Sequence, residues 1–162
     1  MKTDIFIRRA ERDDLDTVVA WMERPDFQHF LYGDAARSPR RIREQIVGML
    51  GRSTGQAVPA GIYLILDSKQ YGPVGLVSLQ GISWRNHACT LDLYIGNEKL
   101  RRTSAAAMAA YKALEYCFDE MNLHRVMAFI YAFNRPSWRL FELTGAVREV
   151  TLKEQVARDG KL

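Results

Sequence analysis

Three apolar segments lie between residues 61 and 96, and the links between them constrain the fold more than any other feature of the chain. The segments cover 61–67, 73–82 and 88–96, so each link is five residues long. A link of this length closes a hairpin but cannot carry a crossover connection, which needs a dozen residues or more. The spacing therefore predicts three consecutive antiparallel strands.

A helix and a fourth apolar segment follow this hairpin series. The stretch 103–121 has helical periodicity, and the apolar run 125–132 predicts a buried strand. Together with strand 88–96 they should form a right-handed β-α-β unit. The helix face expected to pack on the sheet has its side chains at spacings of three and four, namely Ala107, Tyr111, Leu114, Phe118 and Met121.

The flanking segments complete the order of elements. They predict a strand over 4–10, helices over 13–24, 38–51 and 135–145, and a last strand from 146 with a polar tail. Ser38 is expected to cap the second helix, with Pro39 at its first position. The order β-α-α-β-β-β-α-β-α-β predicts an α/β fold, more fully an α+β mixed sheet with helices on both faces. We expect a single domain over residues 1–162.

Composition and charge narrow the class of partner. The chain has 23 Lys and Arg against 19 Asp and Glu, and this net charge of +4 suits a phosphorylated ligand or an acidic partner. The chain has no dedicated nucleic-acid motif, so no nucleic acid partner is predicted. No apolar run approaches the roughly 18 residues of a membrane span, and the N-terminus has no signal-peptide core, which predicts a cytoplasmic protein without a membrane partner. Cys89 and Cys117 lack metal-type spacing, so reduced core thiols and no metal site are expected.

The start of the helix at 103 has an unusual composition. Arg101 and Arg102 precede Thr103 and Ser104, and three alanines follow. In a β-α-β unit this helix terminus lies at the carboxyl end of the preceding strand, where free backbone N–H groups and the helix dipole favour an anion. The arginines and small side chains therefore suit a pyrophosphate group. A capped helix with two exposed arginines explains the same residues, and both interpretations stay open.

Three stretches carry a resemblance to a known family. They are IRRAERDDLDTVVAWMERPDF, GLVSLQGISWRNHACTLDLYIGNEKLRR and MNLHRVMAFIYAFNRPSWRLFELTGA. In order and spacing they are similar to the GNAT acyl-CoA N-acetyltransferases, and within these to the branch of RimJ and RimL. The resemblance implies a GNAT-like fold with a parallel fourth-strand, helix, fifth-strand unit. It also implies an enzyme that uses acetyl-CoA as co-substrate, needs no metal, and acetylates a primary amine by direct attack on the thioester.

The resemblance also assigns residues to acetyl-CoA. The family's pyrophosphate loop, Q/R-x-x-G-x-G/A, falls on 101–106, where Ser104 replaces the central glycine. A serine is compatible with this position if its φ is negative. Asn134 is expected to hold the pantetheine arm, with a helix cap as the alternative. The implied contacts to the co-substrate are Leu93, Tyr94, Ile95, Arg101, Arg102, Thr103, Ser104, Ala105, Ala106, Asn134 and Ser137.

Two residues are candidates for proton transfer. By the resemblance, Ser137 falls where RimL-type enzymes carry a serine near the sulfur, which makes it the candidate general acid for the leaving thiolate. A polar residue in the first turn of a helix is the alternative. Many relatives use a tyrosine instead, and its position is Phe141 here. Asp92 lies on the fourth strand, close to the expected acyl site. If its side chain enters the cleft, it can take a proton through water or hold an ammonium group. If it points outward, it is a surface acid.

The acceptor is expected between the first two helices and the fourth strand. The candidate contacts are Trp21, Phe27, Phe30, Tyr32 and His87, with Glu23, Asp26 and Asp34 available to attract an amine. The aromatic residues would equally suit an ordinary satellite core. A protein N-terminus, an amino sugar and a small amine are all acceptors of similar enzymes. The alternative function is a non-catalytic GNAT-like domain that binds acyl-CoA or a protein partner.

The strand with which the family usually ends has no counterpart after residue 156. In the family that strand lies beside the fifth one, so an open edge is expected along 125–132. Three arrangements would resolve it: strand 146–156 pairs parallel to the fifth strand, a second copy covers the edge, or the sequence is part of a longer chain. We expect a homodimer, because an apolar edge is a template for β-addition.

Overall fold

One mixed sheet organises the part of the chain that the structure describes. The computed structural model covers residues 4–32, 38–52, 61–101 and 103–155, except the side chains of Tyr32 and of residues 49–52. The strands are β1 (Ile5–Arg9), β2 (Gly61–Ser68), β3 (Gly72–Ser83), β4 (Ala88–Ile95) and β5 (Arg125–Met127). They lie in the order β1-β2-β3-β4-β5, antiparallel from β1 to β4, with β5 parallel to β4. The predicted mixed sheet is confirmed.

Helices cover both faces of the sheet, as predicted. On one face lie α1 (Leu15–Met22), α2 (Pro25–Phe27) and α3 (Pro39–Arg52), and on the other lie α4 (Ser104–Glu115) and α5 (Arg135–Leu143). The predicted start of α3 is confirmed, because Pro39 is its first residue and the Ser38 hydroxyl accepts a hydrogen bond from the Arg41 amide. No helix in the described ranges is long and apolar enough to cross a membrane.

The central strands send alternate side chains into two cores. On β2, Leu64 and Leu66 face the core under α4, whereas Tyr63 and Ile65 face the core under α1 and α3. All four are buried. Because both faces are covered, the strand is an unbroken apolar run instead of an alternating one.

The helix α4 packs on the sheet through alanines, which corrects the predicted face. Ala109 and Ala113 are fully buried in the core, whereas Tyr111 and Phe118 are exposed. Small side chains let the helix lie close to the strands. Of the predicted face, Leu114 and Met121 still pack against the same core as partly buried residues. The alanines that follow Ser104 in the sequence are therefore explained by close helix–sheet packing.

The last part of the predicted sheet is wrong. β5 ends at Met127 instead of residue 132, and residues 146–155 contain no strand. Phe129 is 68% exposed and Val147 is 81% exposed. A strand needs a neighbour for its main-chain hydrogen bonds, and no strand pairs with the outer edge of β5 in the described ranges. Residues 156–162 lie outside the described part of the chain.

Candidate active site

The strands β4 and β5 pair over three positions and then separate. The pairs are Ala88 with Arg125, Cys89 with Val126 and Thr90 with Met127. β4 continues for five more residues to Ile95, paired only with β3 within the described ranges. Apart from the Ile95 carbonyl, which accepts a hydrogen bond from Arg101 Nε, main-chain N–H and C=O groups on its other edge are therefore available to a ligand. This opening lies next to the start of α4.

The start of α4 is a capped helix end. Thr103 is the N-cap, and its hydroxyl accepts a hydrogen bond from the Ala105 amide at 3.2 Å and donates to the Leu100 carbonyl at 2.9 Å. Ser104 is the first helical residue and is not among the described residues with positive φ. Serine therefore adopts this position without backbone strain. Anion binding here stays a prediction, and Arg102 lies outside the described residues.

Arg101 does not face the start of α4, in contrast to the predicted pyrophosphate contact. Its Nε donates to the Ile95 carbonyl at 2.7 Å and its Nη2 to the Tyr94 hydroxyl at 2.6 Å. Its Nη1 forms an ion pair with Asp26. All three guanidinium nitrogens thus bind either the end of β4 or Asp26 of α2.

The carboxylate of Asp26 is neutralised by this arrangement. It accepts a hydrogen bond from the Tyr94 hydroxyl at 3.0 Å and pairs with Arg101 and Arg24. Burial alone would raise the pKa of Asp26, but the Tyr94 hydroxyl and the two guanidinium groups hold it below its ordinary value. Burial raises the pKa of Tyr94 to about 12. Asp26 is therefore committed within the protein and is not free to attract an amine.

Asp92 enters a cleft beside this cluster, which decides between its two predicted orientations. Side chains two apart on a strand share a face, so Asp92 and Tyr94 both point toward α1 and α2. The cleft is partly open to solvent and is lined by Met22, Phe27, Leu31, Leu76, Ser78, Gln80, Asp92 and Tyr94. Burial raises the pKa of Asp92 to about 6.

The cleft contains polar residues that the sequence analysis missed. Ser78 lies opposite Asp92 on β3, and its hydroxyl accepts a hydrogen bond from Gln80 Nε2 at 2.9 Å. Both are polar residues at alternate positions of an otherwise apolar strand. Because β3 and β4 form a hairpin, counting back from the turn would have placed Ser78 and Gln80 on the same face as Asp92.

The predicted aromatic contacts divide into two groups. Phe27 lines the cleft and packs edge-on against Tyr94, with ring centroids 4.7 Å apart. Trp21 instead packs against Gly96, where a Cβ atom would lie 2.3 Å from the indole ring. Phe30 lies outside the cleft lining, beside His29 and Phe133. The side chain of Tyr32 lies outside the described residues.

His87 is not among the residues that line the cleft, and its contact with the acceptor stays a prediction. It lies in the turn before β4 with a positive φ of 47°, and its Nδ1 pairs with the Asn122 carbonyl at 2.9 Å. Its own carbonyl accepts hydrogen bonds from the His124 and Arg125 amides. Asp92 lies four residues beyond Ala88, about 13 Å further along the strand. His87 therefore links the turn before β4 to the segment before β5, at the opposite end of β4 from Tyr94.

Asn134 and Ser137 form the start of α5. Asn134 is buried and caps the helix, with its Oδ1 accepting a hydrogen bond from the Ser137 amide at 3.3 Å. The helix cap, which the sequence analysis gave as the alternative role of Asn134, is thus present. Leu140 and Phe141 pack against the core under α4. Ser137 is partly buried and is not among the residues that line the Asp92 cleft.

The two cysteines are buried free thiols, as predicted. A hydrogen bond between them lowers the pKa of Cys89 and, together with burial, raises the pKa of Cys117. They lie within the core under α4. No group of three or more His, Cys, Asp or Glu side chains in the described ranges could hold a metal ion.

Comparisons with known proteins place this geometry among acetyltransferases. Residues 4–147 match the family model of the acetyltransferase (GNAT) domain. A segment of 65 residues is 35% identical to the uncharacterized N-acetyltransferase YnaD of Bacillus subtilis (strain 168). That match covers 40% of this chain and 38% of the length of that curated relative.

Solved structures with the same fold are more distant in sequence. A spermidine N-acetyltransferase from Vibrio cholerae, in complex with CoA and spermine, has a TM-score of 0.82 at 20% identity and covers 97% of this chain and 89% of its own. A domain from Methanocaldococcus jannaschii DSM 2661 has a TM-score of 0.74 at 18% identity, with 94% of each chain covered. At this identity the likeness shows the GNAT-like fold alone.

The first prediction tests the position of Arg101. Arg101→Gln should lower the free energy of unfolding by about 1–3 kcal/mol, because the partly buried Asp26 loses a charged partner. Arg40→Gln is the matched control: its ion pair with Glu44 is exposed, so its effect should stay within about 0.5 kcal/mol. Urea unfolding measures both. A variant of unchanged stability that has lost affinity for acetyl-CoA would show that Arg101 contacts the co-substrate instead.

The second prediction concerns the pH dependence of stability. A folded-state pKa of about 6 for Asp92 lies above the ordinary carboxyl value of about 3.9. The folded state therefore binds more protons between these values, and the stability of the native protein falls as the pH rises through 6. Asp92→Asn should be more stable than the native protein by on the order of 1–3 kcal/mol at pH 8, and by much less at pH 4.

Urea unfolding at several pH values measures this difference. Glu120→Gln is the control, because Glu120 is exposed and its replacement removes the same charge from the surface. A gain at pH 8 that is equally large at pH 4 would contradict a buried, titrating Asp92.

Proposed function

Because the chain belongs to the GNAT acetyltransferase family, we propose that it is an N-acetyltransferase that moves the acetyl group of acetyl-CoA to a primary amine. The observation that supports this most directly is the separation of β4 from β5 after Thr90, beside a cleft that contains Asp92. The RimJ and RimL branch is the finer assignment within this proposal. It rests on the order and spacing of the quoted sequence stretches.

The described residues fit acetyl-CoA at three places. The open edge of β4 at Leu93–Ile95 offers main-chain groups to the pantetheine arm and to the thioester. In the first turn of α4 the amides of Thr103, Ala105 and Ala106 already donate within the chain, so the Ser104 amide would be the donor to the pyrophosphate. Asn134 uses its Oδ1 for the helix cap and would offer its Nδ2 to the arm. When bound, acetyl-CoA supplies an acetyl group activated as a thioester.

Asp92 would prepare the amine for attack. With its pKa near 6 it is ionised at neutral pH, so it can bind the incoming ammonium group. The apolar wall of the cleft lowers the pKa of a bound amine, because burial disfavours its charged form. Asp92 then accepts the proton, directly or through one water molecule.

Ser137 is the proposed proton donor to the leaving thiolate. The cap made by Asn134 holds the backbone at the start of α5. Phe141, one turn later, has no proton to donate, so it cannot replace Ser137. The thiol formed has an ordinary pKa of about 8.5, so protonation assists its departure near neutral pH.

The acceptor class in this proposal is a protein N-terminus, an amino sugar or a small amine. The solved structures named as spermidine N-acetyltransferases support a small amine. The alternative is a non-catalytic domain that binds acyl-CoA or a protein partner. The Ser104 departure favours that alternative, since it differs from the family's pyrophosphate loop.

A homodimer in the cytoplasm completes the proposal. Exposed apolar side chains lie beyond the short β5 and after α5, including Phe129, Leu143 and Val147, and a second copy would cover them. A related spermidine N-acetyltransferase from Vibrio cholerae is described as dodecameric. Buried free thiols at Cys89 and Cys117 suit the reducing conditions of the cytoplasm.

The third prediction tests the activity itself. Acetyl-CoA with a panel of primary amines should give amine-dependent release of free thiol, measured with a thiol reagent. Asp92→Asn should lower kcat/KM for the amine about 10²-fold while the acetyl-CoA Kd, measured by calorimetry, stays unchanged. Acetyl-CoA binding without turnover of any amine would establish the non-catalytic alternative. Absence of acetyl-CoA binding would exclude both CoA-based functions.

The fourth prediction tests the proton donor. Ser137→Ala should lower kcat about 10²-fold with little change in the KM for acetyl-CoA, because the hydroxyl acts on the leaving group. Ser83→Ala is the control, since Ser83 lies at the opposite end of the sheet, paired with Ala88. An unchanged kcat in Ser137→Ala would remove Ser137 from the mechanism.

A further inference from the structure

The described wall of the Asp92 cleft holds one carboxylate and four apolar side chains. We propose that the acceptor is a monoamine, with one positive charge on an apolar body, rather than a polyamine. The inference rests on the proposed N-acetyltransferase function and narrows its substrate class.

Asp92 is the position for the single charge. It is mostly withdrawn from water, and burial is the one cause of its raised pKa, so no cation of the protein compensates it in the described ranges. A buried carboxylate of this kind gains most from a cation that a ligand brings. Its neighbours Ser78 and Gln80 are neutral and hydrogen-bonded to each other.

Two other acids near the cleft, Asp26 and Glu98, are already paired, and Glu23 is exposed outside the cleft lining. Asp26 is held by Arg101, Arg24 and the Tyr94 hydroxyl. Glu98 forms an ion pair with Arg24. Neither has a charge to offer to a second ammonium group. Asp34 lies outside the described residues, so the experiment below also decides whether it serves one.

The rest of the wall would penalise a second charge. Met22, Phe27 and Leu76 are each about 2% exposed, and Leu31 packs against the same core. An ammonium group placed against these side chains loses its hydration without gaining a partner. An alkyl or aryl body gains instead, by about fourfold in affinity for each buried CH₂ group.

The likeness to a solved spermidine enzyme does not decide this question. The Vibrio cholerae protein was solved with spermine and shares 20% of its residues with this chain. Fold alone does not determine the acceptor. The side chains in the cleft of this chain point to a different amine.

Hexylamine and 1,6-diaminohexane form a matched pair for the test, because they differ mainly in one terminal ammonium group. Thiol release from saturating acetyl-CoA at pH 8 gives kcat/KM for each. Hexylamine should exceed the diamine at least about tenfold, although the diamine has two reactive ends. An equal or higher value for the diamine would overturn the inference and leave the proposed function intact. Acetylation of neither amine nor of any other primary amine would overturn both.

A variant tests whether the cleft sets this preference. Leu31→Glu adds a second carboxylate to the wall and should reduce the ratio of hexylamine to diamine at least about fivefold. Val47→Glu is the control, since it adds the same charge at an exposed position of α3 and should leave the ratio unchanged. A thermal unfolding curve confirms that each variant is folded. If Leu31→Glu does not fold, the native amine pair still decides the inference. A folded Leu31→Glu with the native ratio would show that the preference arises elsewhere.

Discussion

The ion pair between Arg101 and Asp26 is the interaction on which the site depends. It joins the chain segment before α4 to α2, and the same guanidinium also holds the Ile95 carbonyl and the Tyr94 hydroxyl. Trp21 completes the junction by packing on Gly96, a position without space for a side chain. The end of β4 is therefore fixed between two helical layers. This geometry sets both the open strand edge and the cleft beside it.

The same ion pair separates the two acids near the cleft into different roles. Asp26 faces two arginines and a hydroxyl, which keep its pKa low. Asp92, two positions before Tyr94 on β4, faces apolar side chains, which raise its pKa. Two carboxylates in neighbouring environments thus differ in the direction of their pKa shifts, a pattern common at sites of proton transfer. If Arg101 faced the start of α4 instead, Asp26 would lose this compensation.

Local sequence patterns predicted most of the sheet and less of the site. The hairpin series from β2 to β4 follows from apolar runs and short links, which act over a few residues. The face of α4 could not be found this way, because alanines and large apolar residues share the same period, and the distance to the sheet selects between them. The predicted end of β5 was wrong for a related reason. Residues 128–132 have strand propensity, but they form a strand only if another strand lies beside them. Helical periodicity placed the start of α4 at residue 103, one residue before its first residue Ser104. No sequence pattern indicated the partners of Arg101, one of which lies 75 residues earlier in the chain.

The short pairing of β5 couples ligand binding to the local stability of the sheet edge. Three ladder positions hold β5 to β4, so this edge is among the parts of the sheet that cost least to open locally. A ligand arm that lies along Leu91–Ile95 would take the place of the missing strand. Its binding would then raise the opening free energy of the same edge, so that occupancy and local order at the edge of the sheet rise and fall together.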